Sequence, residues 1–443
     1  MVGPAVFGVL AFCLVLGLPI ALSLGIASTV GILLTNPANV SLVAQKVYSD
    51  LESFPLMAIP FFVLASNLMA TGGVARRLVS FAQAYVGHLY GGLAMSGVIA
   101  CALFAAISGS SPATVIAIGG LMIPAMFRAG YDRNYAVGSM ANAGSLGILI
   151  PPSIPMIVFA FVTNESVGKL FMAGVVPGIM LTFMLLVTSY IVARRRGYRT
   201  GVKATWADRW HATVDALPAL LLPLVVIGGI YGVPFSVNVG PIQIQAGAIF
   251  TPTEAAAVAV MVAFVVGMFM YRELNWSDLP KVFADSAKTT AMLMFIISMA
   301  VLFGFFLTSE RIPERISAEV LTHAREPWLI LLIMNVILLL AGDFLEASSI
   351  ILIFAPIFFP IAQAVGINPI HLGIVFVVNL EIGMITPPVG LNLYVASGIA
   401  KMSLYQVMRA SLPWMLVLVA ALVIVTYIPE LSLWLPRLLY GGV

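Results

Sequence analysis

Charge is what this chain has least of. Asp, Glu, Lys and Arg make up 9% of its 443 residues and hydrophobic residues 61%, where a soluble globular protein carries roughly 25% charged residues. So few charges cannot cover a water-facing surface, which excludes a soluble globular class, and the same balance excludes disorder. The net charge is only +3 and no basic stripe is present, so nucleic acid is not expected as a partner. There are two cysteines, Cys13 and Cys101, both in apolar segments, which excludes a disulfide framework and suits small buried side chains. No CxxC, HExxH or other metal-type spacing occurs. The lack of a GxSxG elbow and of a histidine cluster argues against an enzyme, and the lack of a GxxxxGK[ST] loop against ATP hydrolysis. The first charged residue is Lys46. A secretory signal needs a basic start, so the opening apolar stretch reads as a retained span.

Long, continuous apolar runs are abundant, and barrel-type alternation is absent. The class they indicate is an all-α polytopic membrane protein. Unbroken spans are expected at Pro4–Leu34, Phe54–Thr71, Leu170–Val192, Leu217–Gly232, Pro252–Met270, Ala287–Leu307 and Leu404–Tyr427. Four further runs are interrupted: Gly91–Phe127 at SGSSP, Tyr135–Val162 at GILIPPS, Trp328–Ala364 at GDFLEASS and Leu372–Ile399 at GMITPPVG. Arg76–Leu89 and Glu310–Glu326 carry charged faces and read as interfacial helices. Thr251-Pro252-Thr253-Glu254 reads as a capping box.

The chain repeats itself. A fixed offset of 236 carries Pro124 onto Pro360, Gly130 onto Gly366, Gly147 onto Gly383, Pro151 and Pro152 onto Pro387 and Pro388, and Pro177 onto Pro413. Helix breakers recurring in register mark an internal duplication. Arg194, Arg195, Arg196, Arg199, Lys203 and Arg209 crowd one loop against Asp208 alone, so that loop is expected to be cytoplasmic. Counting spans from it places the two interrupted pairs on opposite faces, which makes the halves inverted.

Interrupting a membrane helix frees backbone groups at a cost of several kcal/mol each. Four interruptions in two matched pairs therefore ask for a ligand. Ser111-Pro112 suits a helix start whose positive end faces an anion such as a carboxylate, with Ser108 and Ser110 adding hydroxyls. The segment Gly144–Ile150 ends a helix before Pro151-Pro152 and leaves carbonyls free for a hard cation such as sodium, with Asn142 and Ser153 beside it. Asn379, Thr386 and Pro387-Pro388 repeat that role. The second tip carries Asp343, Glu346, Ser348 and Ser349; Asp343 and Glu346 share a face if the tip is helical. Asp343, Glu346 and Glu381 are the acids expected within the membrane, where such residues are costly and usually functional.

SGSSPATVIAIG, GILIPPSIPMIVFAFVTNESVGKLFMAGVVPG, AIFTPTEAAAVA, GDFLEASSIILIFAPIFFPIA and GMITPPVGLNLYVASGIA, in that order, resemble the large membrane subunit of the tripartite ATP-independent periplasmic (TRAP) transporters. The resemblance implies an inverted-repeat, elevator-type transporter with two re-entrant helical hairpins and two discontinuous helices, in the bacterial inner membrane. It implies sodium-coupled import of organic acids such as C4-dicarboxylates or sialic acid. It further implies two partners, a small four-helix membrane subunit (Q-type) and a periplasmic substrate-binding protein. Substrate is expected at Ser108, Ser110, Ser111, Pro112, Ser153, Ser348, Ser349 and Asn392. Sodium is expected at Ser110, Asn142, Gly144, Gly147, Asp343, Glu346, Asn379, Gly383 and Thr386.

The expected division is scaffold helices and an interfacial arm over 1–90, hairpin and broken helix over 91–164, a closing helix over 165–195 and the basic loop over 196–214. The second half follows as scaffold and arm over 215–326, hairpin and broken helix over 327–400, and a final helix over 401–443. Residues 233–248 depart from the family pattern; the alternation of Val237, Val239, Ile242 and Ile244 around Gly240-Pro241 suggests a small hairpin that contacts the binding protein or small subunit. The small subunit is not expected to be fused to this chain. The rival expectation is a stand-alone sodium-coupled di- or tricarboxylate symporter.

Overall fold

A computed structural model describes residues 2–35, 40–198, 201–232, 237–239, 242–244, 249–387 and 390–441. The expected roles of Arg199, of the Gly240-Pro241 turn and of Pro388 lie outside the described residues. Among the described residues, eight helices are long and apolar enough to cross a membrane.

The first departure from the sequence reading lies at the start. Pro4–Leu34 is two helices, α1 (Val2–Val15) and α2 (Ile20–Thr35). Gly17 adopts φ +78°, a conformation that side chains disfavour, and Pro19 follows before α2 begins. The chain folds back there. Phe7 of α1 meets the Phe303 ring edge-on at 5.8 Å, and a Cβ at Gly31 of α2 would lie 2.6 Å from Phe306. Both ends of the pair therefore sit at one end of α14 (Leu279–Ser309).

After α3 (Val40–Ser49) come α4 (Ala58–Thr71) and the amphipathic arm α5 (Val74–Val86). The first hairpin is α6 (Gly92–Ser108), then α7 (Ser111–Thr114), a π turn at Val115–Gly119 and α8 (Gly120–Arg128). The first discontinuous helix is α9 (Arg133–Ala143), a 3-10 turn at Gly144–Ile148 and α10 (Ile154–Thr163). α11 (Val167–Arg195) closes the repeat with 29 residues, about 44 Å at 1.5 Å per residue, enough for a hydrocarbon core of about 30 Å.

The second half runs α12 (Trp206–Tyr231), strands β1 (Val237–Val239) and β2 (Ile242–Ile244), α13 (Pro252–Val265), α14 and the arm α15 (Ile312–His323). Its hairpin is α16 (Pro327–Gly342) and α17 (Ala347–Ala364); its broken helix is α18 (Pro369–Gly383) and α19 (Leu391–Ala400). α20 (Leu404–Tyr427) and α21 (Glu430–Tyr440) end it. β1 and β2 pair antiparallel with Val237 opposite Ile244 and Val239 opposite Ile242, the register the alternation predicts. The capping boxes form where predicted and beyond: Thr251 with Glu254 starts α13, Thr205 with Asp208 starts α12 and Ser403 with Gln406 starts α20.

Packing follows the duplication. α4 lies on α13 and α2 lies on α14. The offset maps α2 onto α13 and α4 onto α14, so these two contacts are the same contact made twice. Small residues make the first one close: Ala255, Ala256, Ala259 and Ala263 are fully buried, and a Cβ at Gly72 would lie 3.0 Å from the Gly267 Cα. The outer half of each broken helix packs on the opposite hairpin, α10 on α17 and α19 on α7, the π turn and α8. Phe159 and Phe376, both fully buried, meet at 5.4 Å between the two broken helices.

The arm α5 is anchored on the basic-loop face. Arg77 Nη1 reaches Glu273 Oε1 at 2.6 Å and its guanidinium lies 3.7 Å over the Tyr271 ring, while Arg76 also pairs with Glu273. Burial alone would raise the Glu273 carboxyl. The hydrogen bond and charge of Arg77, with Arg76, outweigh it and hold the group below the usual glutamate value of 4.5.

Candidate functional site

The first tip turns at Gly109, which has φ +60°. A Cβ there would lie 2.8 Å from the Pro152 carbonyl oxygen, and Ile154 N donates to the Gly109 oxygen at 3.4 Å, so only glycine lets this tip rest against the first helix break. Ser108 Oγ lies 2.9 Å from Thr114 Oγ1 and accepts from Ser110 N at 3.4 Å. Ser110 occupies the N-cap position without using its side chain, which leaves that hydroxyl unspent; Ser111 and Pro112 open the helix.

The second tip is not helical between Gly342 and Ala347. Asp343 is the C-cap of α16 and Glu346 the N-cap of α17, so the two acids do not share a helical face as their spacing suggests. Glu346 accepts from Ser348 N at 3.1 Å and Ser349 N at 3.3 Å, and from both hydroxyls, so its charge faces the start of α17. Asp343 Oδ1 is buried without a partner among the described residues.

Both tips open on one cavity of about 360 Å³, which lies within the usual range for small-ligand pockets of roughly 300–1,000 Å³. Ser108, Ser110, Ser111 and Pro112 line it from one tip, Glu346 and Ser348 from the other, and Met384 from the second break. The scaffold closes it with Ser66 and Asn67 of α4 and Thr289 and Met292 of α14. Of the residues expected to meet substrate, Ser153, Ser349 and Asn392 do not line it. Ser153 caps α10, accepting from Met156 N, and Ser349 is engaged with Glu346.

Asn392 belongs instead to a buried knot at the first break. Its Nδ2 donates to Ser111 Oγ at 2.7 Å and to the Ala141 oxygen at 3.4 Å, and Ser111 Oγ donates to the Gly144 oxygen at 3.1 Å. Asn142 Nδ2 donates to the Gly138 oxygen at 2.8 Å. Asn142 Oδ1 and Asn392 Oδ1 are buried and have no partner among the described residues. Gly144 and Gly147 permit this packing: a Cβ at Gly144 would lie 2.1 Å from Val115 Cγ2, and one at Gly147 2.5 Å from the Ser110 oxygen.

The second break has a matching knot. Asn379 Nδ2 donates to the carbonyl and the side-chain oxygen of Asn335, both at 3.0 Å, and Asn335 donates to Thr426 Oγ1 at 2.9 Å. Asn379 Oδ1 is left buried and unpaired among the described residues. Thr386 Oγ1 donates to the Ile382 oxygen at 2.7 Å. Gly383 faces Gly342 so closely that a Cβ on it would lie 2.7 Å from the Gly342 Cα, which brings Asp343 to this break. Unpaired buried oxygens beside interrupted helices are acceptors only, the donor set of a hard cation. Among the described residues no three His, Cys, Asp or Glu side chains cluster as a transition-metal site would.

Sequence reasoning missed Asn67, Ser66 and Thr289 on the scaffold, and Asn335 in the second knot. The signal for Asn335 was a lone amide in the run WLILLIMNVILLL. His371 is buried and contacts Ser432 Oγ at 2.8 Å.

The model of the family described as the tripartite ATP-independent periplasmic transporter, DctM component, matches residues 7–431. A large permease protein DctM of a C4-dicarboxylate TRAP transporter from Pseudomonas aeruginosa is 51% identical, over 94% of this chain and 94% of that protein. One of the same name from Rhodobacter capsulatus is 46% identical over 98% of each. The solved YdaH transporter of Alcanivorax borkumensis, described as having an unusual topology, shares the fold with a TM-score of 0.54 at 17% identity, over 86% of this chain and 88% of that one.

Proposed function

The chain belongs to the DctM family of TRAP transporters, as their large membrane subunit, and from that premise we propose that it imports C4-dicarboxylates or related organic acids by sodium coupling. The observation that carries this reading is the cavity between the two tips, flanked on both sides by knots with unpaired buried oxygens. The unspent hydroxyl of Ser110 and the opening of the helix Ser111–Arg128 supply donors for a carboxylate, in a cavity that Ser108, Ser111 and Ser348 also line. Asn142, Asn392 and the Gly144 region hold one sodium; Asn379, Asp343 and the Gly383–Thr386 region hold another.

The basic-loop face is cytoplasmic and the membrane is the bacterial inner membrane. The hairpins and broken helices move together against α2, α4, α13 and α14 as an elevator, carrying the cavity across. Sodium in the knots ties each tip to its break, so ion and substrate raise each other's affinity by the same factor. A periplasmic binding protein delivers the acid, and a small four-helix subunit completes the scaffold.

The test is uptake of labelled C4-dicarboxylates by proteoliposomes holding the chain, its small subunit and its binding protein, with sodium varied. Ser110→Ala and Asp343→Ala are expected to abolish uptake while leaving assembly intact. Uptake at the unsubstituted rate by both variants would falsify the site assignment. Uptake without the binding protein returns the stand-alone symporter.

A further inference from the structure

On the basic-loop face, the arm α5 meets the start of α12 at another cavity, of about 440 Å³, walled by Tyr85, Trp206, Trp210 and Thr213. Tyr85 Oη lies 2.9 Å from Thr213 Oγ1, which ties the last turn of the arm to the scaffold helix. Trp206 and Trp210 are 77% and 68% exposed, so these walls stand open rather than packed against the protein.

At the edge of this cavity lies a cation whose hydrogen-bonding capacity is unspent. The Arg209 guanidinium stands over the Tyr85 ring at 5.8 Å and over the Trp206 ring at 5.7 Å. Ring faces attract a cation but give its N–H groups no acceptor. Arg209 Nε is buried with no partner among the described residues, and among them no carboxylate pairs with this side chain. The neighbouring acid, Asp208, is turned back onto Thr205, accepting from its N and its Oγ1. Arg194, Arg195 and Lys203 are exposed on the same loop, so the surroundings are positive.

The outer face of α12 continues from the cavity as an apolar stripe. Trp210, Val214, Leu217, Leu221 and Leu224 follow one another at helical spacing, and all are exposed. The stripe runs about 21 Å at 1.5 Å per residue, longer than half of a hydrocarbon core of about 30 Å. A soluble anion would engage the arginine and leave the rings and the stripe idle. A ligand with an anionic head and a hydrocarbon tail engages all three.

We propose that this corner binds an anionic phospholipid of the leaflet on the basic-loop side. Its phosphate accepts from the Arg209 N–H groups, its glycerol and upper chains fill the cavity beside the two tryptophans, and an acyl chain lies along the α12 stripe. Tyr85 belongs to the arm that leads into the first hairpin, so the bound lipid braces that arm on the scaffold. The bracing rests on the elevator reading above; the binding does not.

Native mass spectrometry of the purified transporter, the chain with its small subunit, titrated in detergent with phosphatidylglycerol or phosphatidylcholine, tests the site. Phosphatidylglycerol is expected to bind about tenfold more tightly, the scale of one hydrogen bond to a charged group, and Arg209→Gln to erase that preference. Trp210→Ala, which trims an exposed wall, weakens both lipids alike. Equal binding of the two lipids by the unsubstituted transporter overturns the proposal. So does a preference that survives Arg209→Gln, as it would if the small subunit covered this corner. Excess inorganic phosphate is expected to leave the lipid in place; displacement assigns the corner to a free anion instead. Should Arg209→Gln fail to assemble, brominated phosphatidylglycerol decides: it quenches tryptophan fluorescence less in the double variant Trp206→Phe, Trp210→Phe, and equal quenching overturns the site. In proteoliposomes the uptake rate rises with phosphatidylglycerol content and does not in Arg209→Gln; the same response in both contradicts the bracing. If the unsubstituted transporter shows no sodium-dependent uptake, the transport reading fails and the mass spectra still decide the lipid site.

Discussion

At the scale of the residue, the first knot depends on Ser111. Its hydroxyl accepts from Asn392 and donates to the Gly144 oxygen, so it links a side chain of the second half to a backbone turn of the first. Ser111→Ala leaves the Asn392 amide and the Gly144 carbonyl each short of a partner. The expected consequence is a sodium requirement for uptake raised about tenfold or more, since each unsatisfied buried group costs roughly 1–3 kcal/mol; an unchanged sodium dependence would remove Ser111 from the ion site. Glu273 makes a different case, on the basic-loop face. Its lowered folded-state pKa means that its pairing with Arg77 stabilises the protein above the usual 4.5 and that this contribution disappears as pH falls through the lowered value. Thermal inactivation of Glu273→Gln in detergent should therefore show a deficit of about 1 kcal/mol at pH 7 that closes in acid. The sequence revealed the residue types but not these pairings. Ser108, Ser110 and Asp343 stand out because polar groups in an apolar run are costly. Asn392 was assigned to substrate because a linear motif does not tell which wall of a helix break faces a cavity.

At the scale of the element, the interruptions were legible and their internal geometry was not. Gly and Pro in register announced four breaks, and four breaks form. The pair Gly17–Pro19 announced a fifth, overlooked because the apolar run around it is unbroken in hydropathy alone. Asp343 and Glu346 looked like helical neighbours, but the tip between α16 and α17 is extended enough to make one a C-cap and the other an N-cap. Close approach at the tips gives a sharp prediction. A methyl on Gly383 meets the Gly342 Cα at 2.7 Å, backbone that cannot yield as a flexible side chain would. Gly383→Ala is expected to cost about 1–3 kcal/mol and to loosen the second tip, seen as faster protease cleavage near residues 343–346; cleavage at the unsubstituted rate would contradict the packing. Thr251→Ala, which removes one half of the capping box of α13, should cost about 1 kcal/mol in thermal stability while leaving sodium affinity alone.

At the scale of the whole molecule, the duplication organises everything else. The contacts α4 on α13 and α2 on α14 are equivalent, each broken helix leans on the opposite hairpin, and the tips meet the scaffold at one cavity. Long-range packing of this kind has no local signature, which explains why Ser66, Asn67 and Thr289 escaped a reading along the chain. The proposed transport cycle needs ion and acid to stabilise the same arrangement of tips, and that is the most exposed part of the account. It is tested by the sodium concentration for half-maximal uptake in proteoliposomes of the assembled transporter, measured at low and at saturating C4-dicarboxylate. Saturating substrate is expected to lower this concentration, and no uptake above background is expected when potassium replaces sodium. Equal uptake in potassium, or a sodium requirement indifferent to substrate, would contradict it.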